Sequence, residues 1–204
     1  MLRTSAPLIG TLGLMNTPAM FRKTERREFF AHHMLLHAAE LEITAAEESE
    51  RGRLPKCLAA MVLTALAIEA LANAVGSRVV SDWPVFEFLR PHEKLDHLVR
   101  DLSIARDATK EPWTTLTYLG GFRNDIAHAK PEAVPKEWVL PEAGLIKTDF
   151  DRPLSTLERE ITLGNARRVF DAVRTLKGML ADALPVEARF GIYADMWSGG
   201  ASVA

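Results

Sequence analysis

Residues 57–75 read CLAAMVLTALAIEALANAV, and wound as a helix this stretch is hydrophobic on nearly every side. It has almost no face to offer water, so it belongs at the centre of a fold with other elements laid around it. The expected helix covers residues 54–75, with Pro55 in the first turn and Gly76 as the stop. No run in the chain reads as long and apolar enough to cross a bilayer, so a core helix is expected and no membrane partner.

The flanking sequence supplies the cover. A helix is expected over 24–50, starting at Thr24 and carrying Phe29, His33, Leu36, Ala39 and Ile43 on one face, until Arg51-Gly52-Arg53 breaks it. Ser81-Asp82-Trp83-Pro84 reads as a second start, with Val85, Phe86, Phe88 and Leu89 in a short apolar turn. Pro91 resets the chain, and 92–105 follows with Leu95, Leu98, Leu102 and Ala105 inward. Glu111-Pro112-Trp113 opens another helix that carries Leu116, Leu119, Phe122 and Ile126. From 131 to 153 prolines dissolve the pattern, leaving Trp138-Val139-Leu140 and Leu145-Ile146 as strands of a hairpin. A last helix is expected over 157–184. The fold class is therefore all-α, a four- to five-helix up-and-down bundle with one proline-rich excursion. Residues 1–22 are an arm whose weak signal-like centre is broken by Pro7, Gly10 and Gly13; 23–184 form the bundle; 185–204 are a tail, its last residues 198–204 expected to lack fixed structure.

With 204 residues, 48% of them hydrophobic and 25% charged, the chain can bury a real core. Its net charge of −2 gives no global field for nucleic acid, so any such contact must come from a local cluster or from a groove between two copies. The lone cysteine, Cys57, sits in the apolar stretch and reads as a small core residue; without a partner for a disulfide, a reducing, cytoplasmic setting is expected.

One segment carries chemistry. Arg123-Asn124-Asp125-Ile126-Ala127-His128 sets an arginine and a histidine at its two ends, with an amide directly after the arginine, late in a helix. Asn124 and His128 project from one helical face, and the long Arg123 side chain can curl toward it. Histidine suits proton transfer near neutral pH, and the planar guanidinium suits phosphate oxygens. The segment follows the alanine-rich Ala67-Ile68-Glu69-Ala70-Leu71-Ala72-Asn73 and precedes Ala129-Lys130-Pro131. In these features the chain resembles the HEPN superfamily, whose arginine and histidine belong to a late bundle helix. The resemblance implies a metal-independent endoribonuclease that needs no cofactor, with Arg123, Asn124 and His128 at its site. It also implies a homodimer that brings two such segments together, an RNA substrate, and a place in toxin–antitoxin or defence systems with an antitoxin protein as partner.

Other readings stand beside it. Arg123 can instead pair with Asp125 or a distant acid, with His128 at a helix end where a cation offsets the dipole. The same surface can belong to a non-catalytic helical dimer that binds RNA, a nucleotide or a protein. Glu69 and Asn73, four apart in the most apolar helix, either bond to each other and fix neighbouring helices or support the motif from behind. His33 and His37 share a helical face, yet zinc needs three or four ligands and no further partner has the spacing, so no metal is expected. Lys130, Arg22 and Arg26 are the candidates for RNA contact; Arg22, Lys23, Arg26 and Arg27 form the densest basic cluster, and Arg167-Arg168 a smaller one.

Overall fold

The computed structural model describes residues 21–135, 137 and 153–203. The expected hairpin around Trp138-Val139-Leu140 and Leu145-Ile146 lies outside them, as does nearly all of the N-terminal arm. The chain is mostly helical, with one small antiparallel sheet. It divides into two compact units: residues 28–196, which hold the helices, and a strand unit of which 21–27 and 197–203 are described.

In the helical unit, α1 (Ala31–Glu48) and α2 (Arg53–Val79) are joined by a short turn at Gly52, whose left-handed φ of 69° suits glycine. The short α3 (Trp83–Phe86) and α4 (Pro91–Asp101) follow, then α5 (Trp113–Ala127). After residue 153 come α6 (Thr156–Glu160), α7 (Leu163–Ala183) and α8 (Val186–Arg189). As its sequence requires, α2 is the hub: α1, α7, α4, α5 and α3 all pack on it. Ala60, Ala67 and Ala72 are buried among the larger Met61, Ile68 and Leu71, which lets neighbouring backbones come close. Even its buried Thr64 is satisfied locally, donating to the Ala60 carbonyl at 2.7 Å. The expectation that no run is apolar enough for a bilayer needs correction. By length and composition α2 could cross a membrane, although here the surrounding helices supply much of its cover.

Gly76 does not stop α2, which continues to Val79. A Cβ at that position would lie 2.3 Å from the indole carbons of Trp83, itself 3% exposed. The glycine makes room for a ring rather than ending a helix. On α1 the buried face is offset by one residue at its start. His32 and Phe30 face inward in place of His33 and Phe29, whereas Leu36, Ala39 and Ile43 are buried as expected. The single helix expected over 157–184 is two. Ser155 and Glu158 form a capping box for α6, and Thr162 accepts from the Asn165 N–H to start α7. Between them Ile161 drops into the core at 7% exposure. α4 ends at Asp101, before the left-handed Ser103, and leaves Ala105 exposed. Phe88 and Val85, expected in an apolar turn, are 94% and 71% exposed.

Residues 21–28 form strand β1 (Phe21–Glu28), not the first turns of a helix, and its partner β2 (Met196–Val203) occupies the tail expected to lack structure. All eight residues of β1 are exposed, so no hydrophobic alternation marks the strand in the sequence. Its one pairing partner in the sheet is a segment far away in the chain.

The C-terminal part of the helical unit is tied to α1 by two histidines. His32 Nε2 lies 3.2 Å from the Ile192 carbonyl and His33 Nε2 lies 2.9 Å from the Gly191 carbonyl. A carbonyl only accepts, so both rings carry their proton on Nε2. Burial pushes His32 down from 6.5 to about 4, against the opposing pull of the Ile192 carbonyl. The stability gained by keeping this ring neutral is full above 6.5 and is lost as pH falls toward 4.

This packing yields two expected outcomes. Acidification from pH 7 to pH 4 should cost roughly 3 kcal/mol through His32 alone, since each tenfold change in proton affinity is worth about 1.4 kcal/mol. Urea midpoints at both pH values should show a flatter pH dependence for His32→Gln, and an unchanged slope would refute the assignment. Gly76→Ala should destabilise by about 1–3 kcal/mol through overpacking against Trp83. Trp83→Leu should recover part of that loss in the double variant, whereas full additivity would show that the two residues do not meet.

Candidate functional site

The motif stands at the free end of α5. The helix starts at Trp113, 4% exposed, and the hydroxyl of Thr115 donates to Glu111 Oε1 at 2.8 Å. Hydrogen bonds from Thr114 and Thr115 hold the Glu111 carboxyl below its usual range. Trp113, Leu116, Leu119 and Phe122 then form the buried stripe against α2 and α7. Tyr118 braces the flank. Its hydroxyl donates to Glu160 Oε2 at 3.0 Å, the Arg168 guanidinium lies 4.5 Å over its ring, and burial pushes its pKa up to about 12.

Past Phe122 only Ile126 still packs against the core. Arg123, Asn124, Asp125 and His128 are all exposed, and Ile126 is half-buried. His128 caps the helix, its N–H donating to the Asn124 carbonyl at 2.9 Å. Among the described residues no hydrogen bond or ion pair occupies the Arg123 guanidinium or the Asp125 carboxylate, so the pairing considered for Arg123 is not made there. At about 100° per residue, Thr117, Gly121, Asn124 and His128 fall within about 60° of one another. This side of α5 is open: none of the four is buried.

Beside the motif lies a cavity of about 350 Å³ between α2, the start of α4 and α5. Ala65, Ile68, Leu95, Leu116 and Leu119 give it an apolar floor. Arg90, His92, Arg106, Arg123 and Asn124 stand around it. Arg106 forms a close ion pair with Asp96, and its guanidinium lies 5.3 Å from the Trp113 ring centre. His128 does not line the cavity. The motif is thus divided, with Arg123 and Asn124 bordering the cavity and His128 at the open helix end. Arg90, His92 and Arg106 are not legible as site residues in the sequence, because nothing in their spacing links them to position 123. The glycine pair Gly120-Gly121 inside a helix is the one readable signal.

The other candidates resolve differently. Glu69 pairs with Lys94 Nζ at 3.0 Å, and Lys94 is 2% exposed. Its role is therefore to neutralise a buried ammonium that ties α4 to α2. Asn73 is half-buried, and among the described residues its Oδ1 has no hydrogen-bond partner and no bond joins it to Glu69. His33 is engaged by Gly191, and no three His, Cys, Asp or Glu side chains among the described residues converge on a common point. Cys57 is fully buried, and burial raises its thiol pKa. Lys130 is exposed just beyond α5, while Arg22 and Arg26 are exposed on β1 in the strand unit. Arg167 is paired with Glu47, and Arg168 is engaged by Tyr118 and Asn165.

Compared with family models, curated proteins and solved structures, the chain matches none of them.

The Glu69–Lys94 pair makes a prediction of its own. Glu69→Ala should cost about 3 kcal/mol by leaving a buried ammonium unpaired, and Glu69→Ala with Lys94→Met should recover most of it. Denaturant titrations of the single and double variants decide the matter. A Glu69→Ala protein as stable as the parent would show that Lys94 finds another partner.

Proposed function

We propose that the protein is a metal-independent endoribonuclease of HEPN type, with an up-and-down helical bundle as scaffold and Arg123, Asn124 and His128 as its working residues. The observation that carries this reading is the Arg123 guanidinium, without an ion-pair partner among the described residues, beside an amide and an imidazole, all exposed at the end of α5. A polar trio whose side chains have no partner among the described residues is suited to an external ligand.

In the reaction a base takes the proton of an RNA 2′-hydroxyl, and the freed oxygen attacks the adjacent phosphorus. The bond from phosphorus to the 5′-oxygen breaks, and an acid returns a proton to that leaving oxygen. The products are a 2′,3′-cyclic phosphate and a 5′-hydroxyl. Arg123 donates its fork to the phosphate oxygens as charge builds there, and Asn124 adds a further donor. His128 serves one proton step. The other falls to His128 of a second copy, so a homodimer with two-fold symmetry is part of the proposal. The partly uncovered α2, with Leu66 41% exposed and Val62 and Leu63 half-buried, gives such a dimer apolar surface. A toxin or defence role in the cytoplasm, with a neutralising antitoxin protein, belongs to the same reading. The second reading is a non-catalytic dimer that binds RNA, nucleotide or protein on this face; the net charge of −2 favours it.

His128→Ala should lower RNA cleavage by roughly 10²–10⁴-fold while leaving RNA affinity nearly unchanged. Arg123→Ala should weaken both binding and turnover, and Arg123→Lys should restore only part, since the charge returns without the fork. Cleavage should survive EDTA and leave cyclic-phosphate ends. If Arg123→Ala and His128→Ala proteins of native helicity and oligomeric state cleave RNA as the parent does, the motif is structural and the enzyme reading fails.

A further inference from the structure

Gly120 lies in the middle of α5, lines the cavity and has no left-handed φ. A Cβ built on it meets nothing within 4 Å, in contrast to Gly76. Glycine inside a helix costs about 1 kcal/mol relative to alanine, and neither its backbone conformation nor packing among the described residues accounts for it here. What it does provide is bare peptide backbone on the cavity wall, where a flat group can approach closely.

The rim specifies charge. Among the described residues that line it, three arginines face one carboxylate, Asp96, which Arg106 already occupies. Among the described residues, the Arg90 and Arg123 side chains have no acidic partner. The N-terminal turn of α4, with Pro91 and His92, opens on the same space, but the Glu93 carboxylate already takes the Arg90 N–H at 2.8 Å, so the arginine side chains and not this helix end supply the charge. The cavity therefore joins an apolar floor to two guanidiniums that no described acid holds, and small-molecule sites begin at about 300 Å³. That is room for one ring system and one phosphate. Arginine forks grip phosphate, and a planar base can stack on guanidinium or peptide planes. The Asn124 amide offers both a donor and an acceptor to a base edge.

We propose that this cavity holds one nucleoside monophosphate unit of the substrate, with its phosphate on Arg90 and Arg123 and its base over the apolar floor against Gly120. That the unit belongs to RNA rests on the ribonuclease reading above; that the cavity takes a nucleotide does not.

The test uses the full chain carrying His128→Ala, since His128 lies outside the cavity. Adenosine 5′-monophosphate, uridine 5′-monophosphate, adenosine and inorganic phosphate are titrated separately by calorimetry. At least one monophosphate should bind about tenfold tighter than phosphate or adenosine, since only it engages both the arginines and the apolar floor. Gly120→Leu, which fills the cavity, should abolish that binding while the melting temperature holds or rises. Arg90→Gln should weaken it and flatten its salt dependence. The proposal is overturned if neither monophosphate binds at millimolar concentration, if phosphate alone binds as tightly, or if stably folded Gly120→Leu and Arg90→Gln proteins bind like the parent. It is equally overturned if Gly120→Leu splits a dimer, since the glycine then serves a second copy. RNA cleavage separates the two readings. Cleavage at the parental rate by Gly120→Leu with His128 intact removes the subsite and keeps the enzyme. Monophosphate binding without any cleavage by the unsubstituted protein removes the enzyme and keeps the nucleotide site.

Discussion

Covering α2 is the constraint on which the rest of the helical unit depends. A helix apolar on nearly all sides must be surrounded, and α1, α7, α4 and α5 are held where they are by doing so. Small residues set how close they come, and the single carboxylate on that helix, Glu69, is spent on the buried ammonium of Lys94. Because the cover comes from pieces distant in sequence, the gaps between them are not filled by any local pattern. The cavity is one such gap, bounded by α2 below and by the ends of α4 and α5 at the sides.

α5 illustrates how one helix serves both the core and the surface. Its first three turns bury Trp113, Leu116, Leu119 and Phe122, and its last turn carries mainly polar and small groups outward. Rigid anchoring at one end fixes the direction of the other and leaves Arg123, Asn124 and His128 out of the packing. The local field matters more here than the total. A chain with net charge −2 still gathers, among its described residues, three guanidiniums and one carboxylate around one cavity.

Much of this is legible in the sequence, and the failures have physical causes. Helical spacing places Leu36, Ala39, Ile43, Leu95, Leu98, Leu116, Leu119 and Phe122 in the core, where burial bears it out. Gly76 misleads because a glycine that admits a ring looks the same as one that ends a helix. The first strand is hidden because it has no buried face, so no alternation betrays it. His32 and His33 are adjacent, and only the position of the Ile192 and Gly191 carbonyls shows that both are engaged. At the candidate site the contiguous hexapeptide can be read directly. Arg90, His92 and Arg106 cannot, since what unites them with Arg123 is the path of the chain and not its order.

The pairing of β1 with β2 has a consequence for how the chain assembles. The hydrogen bond from the Thr24 hydroxyl to the Gly200 carbonyl joins residues 176 apart. Closing so long a loop from an open coil is entropically costly, and a lone pair of strands returns little for it. Helix formation between them shortens the intervening chain and removes much of that cost. The strand pair should therefore form after the helices and come apart before them, a clasp whose closing depends on how far the chain between its two strands has already been drawn in.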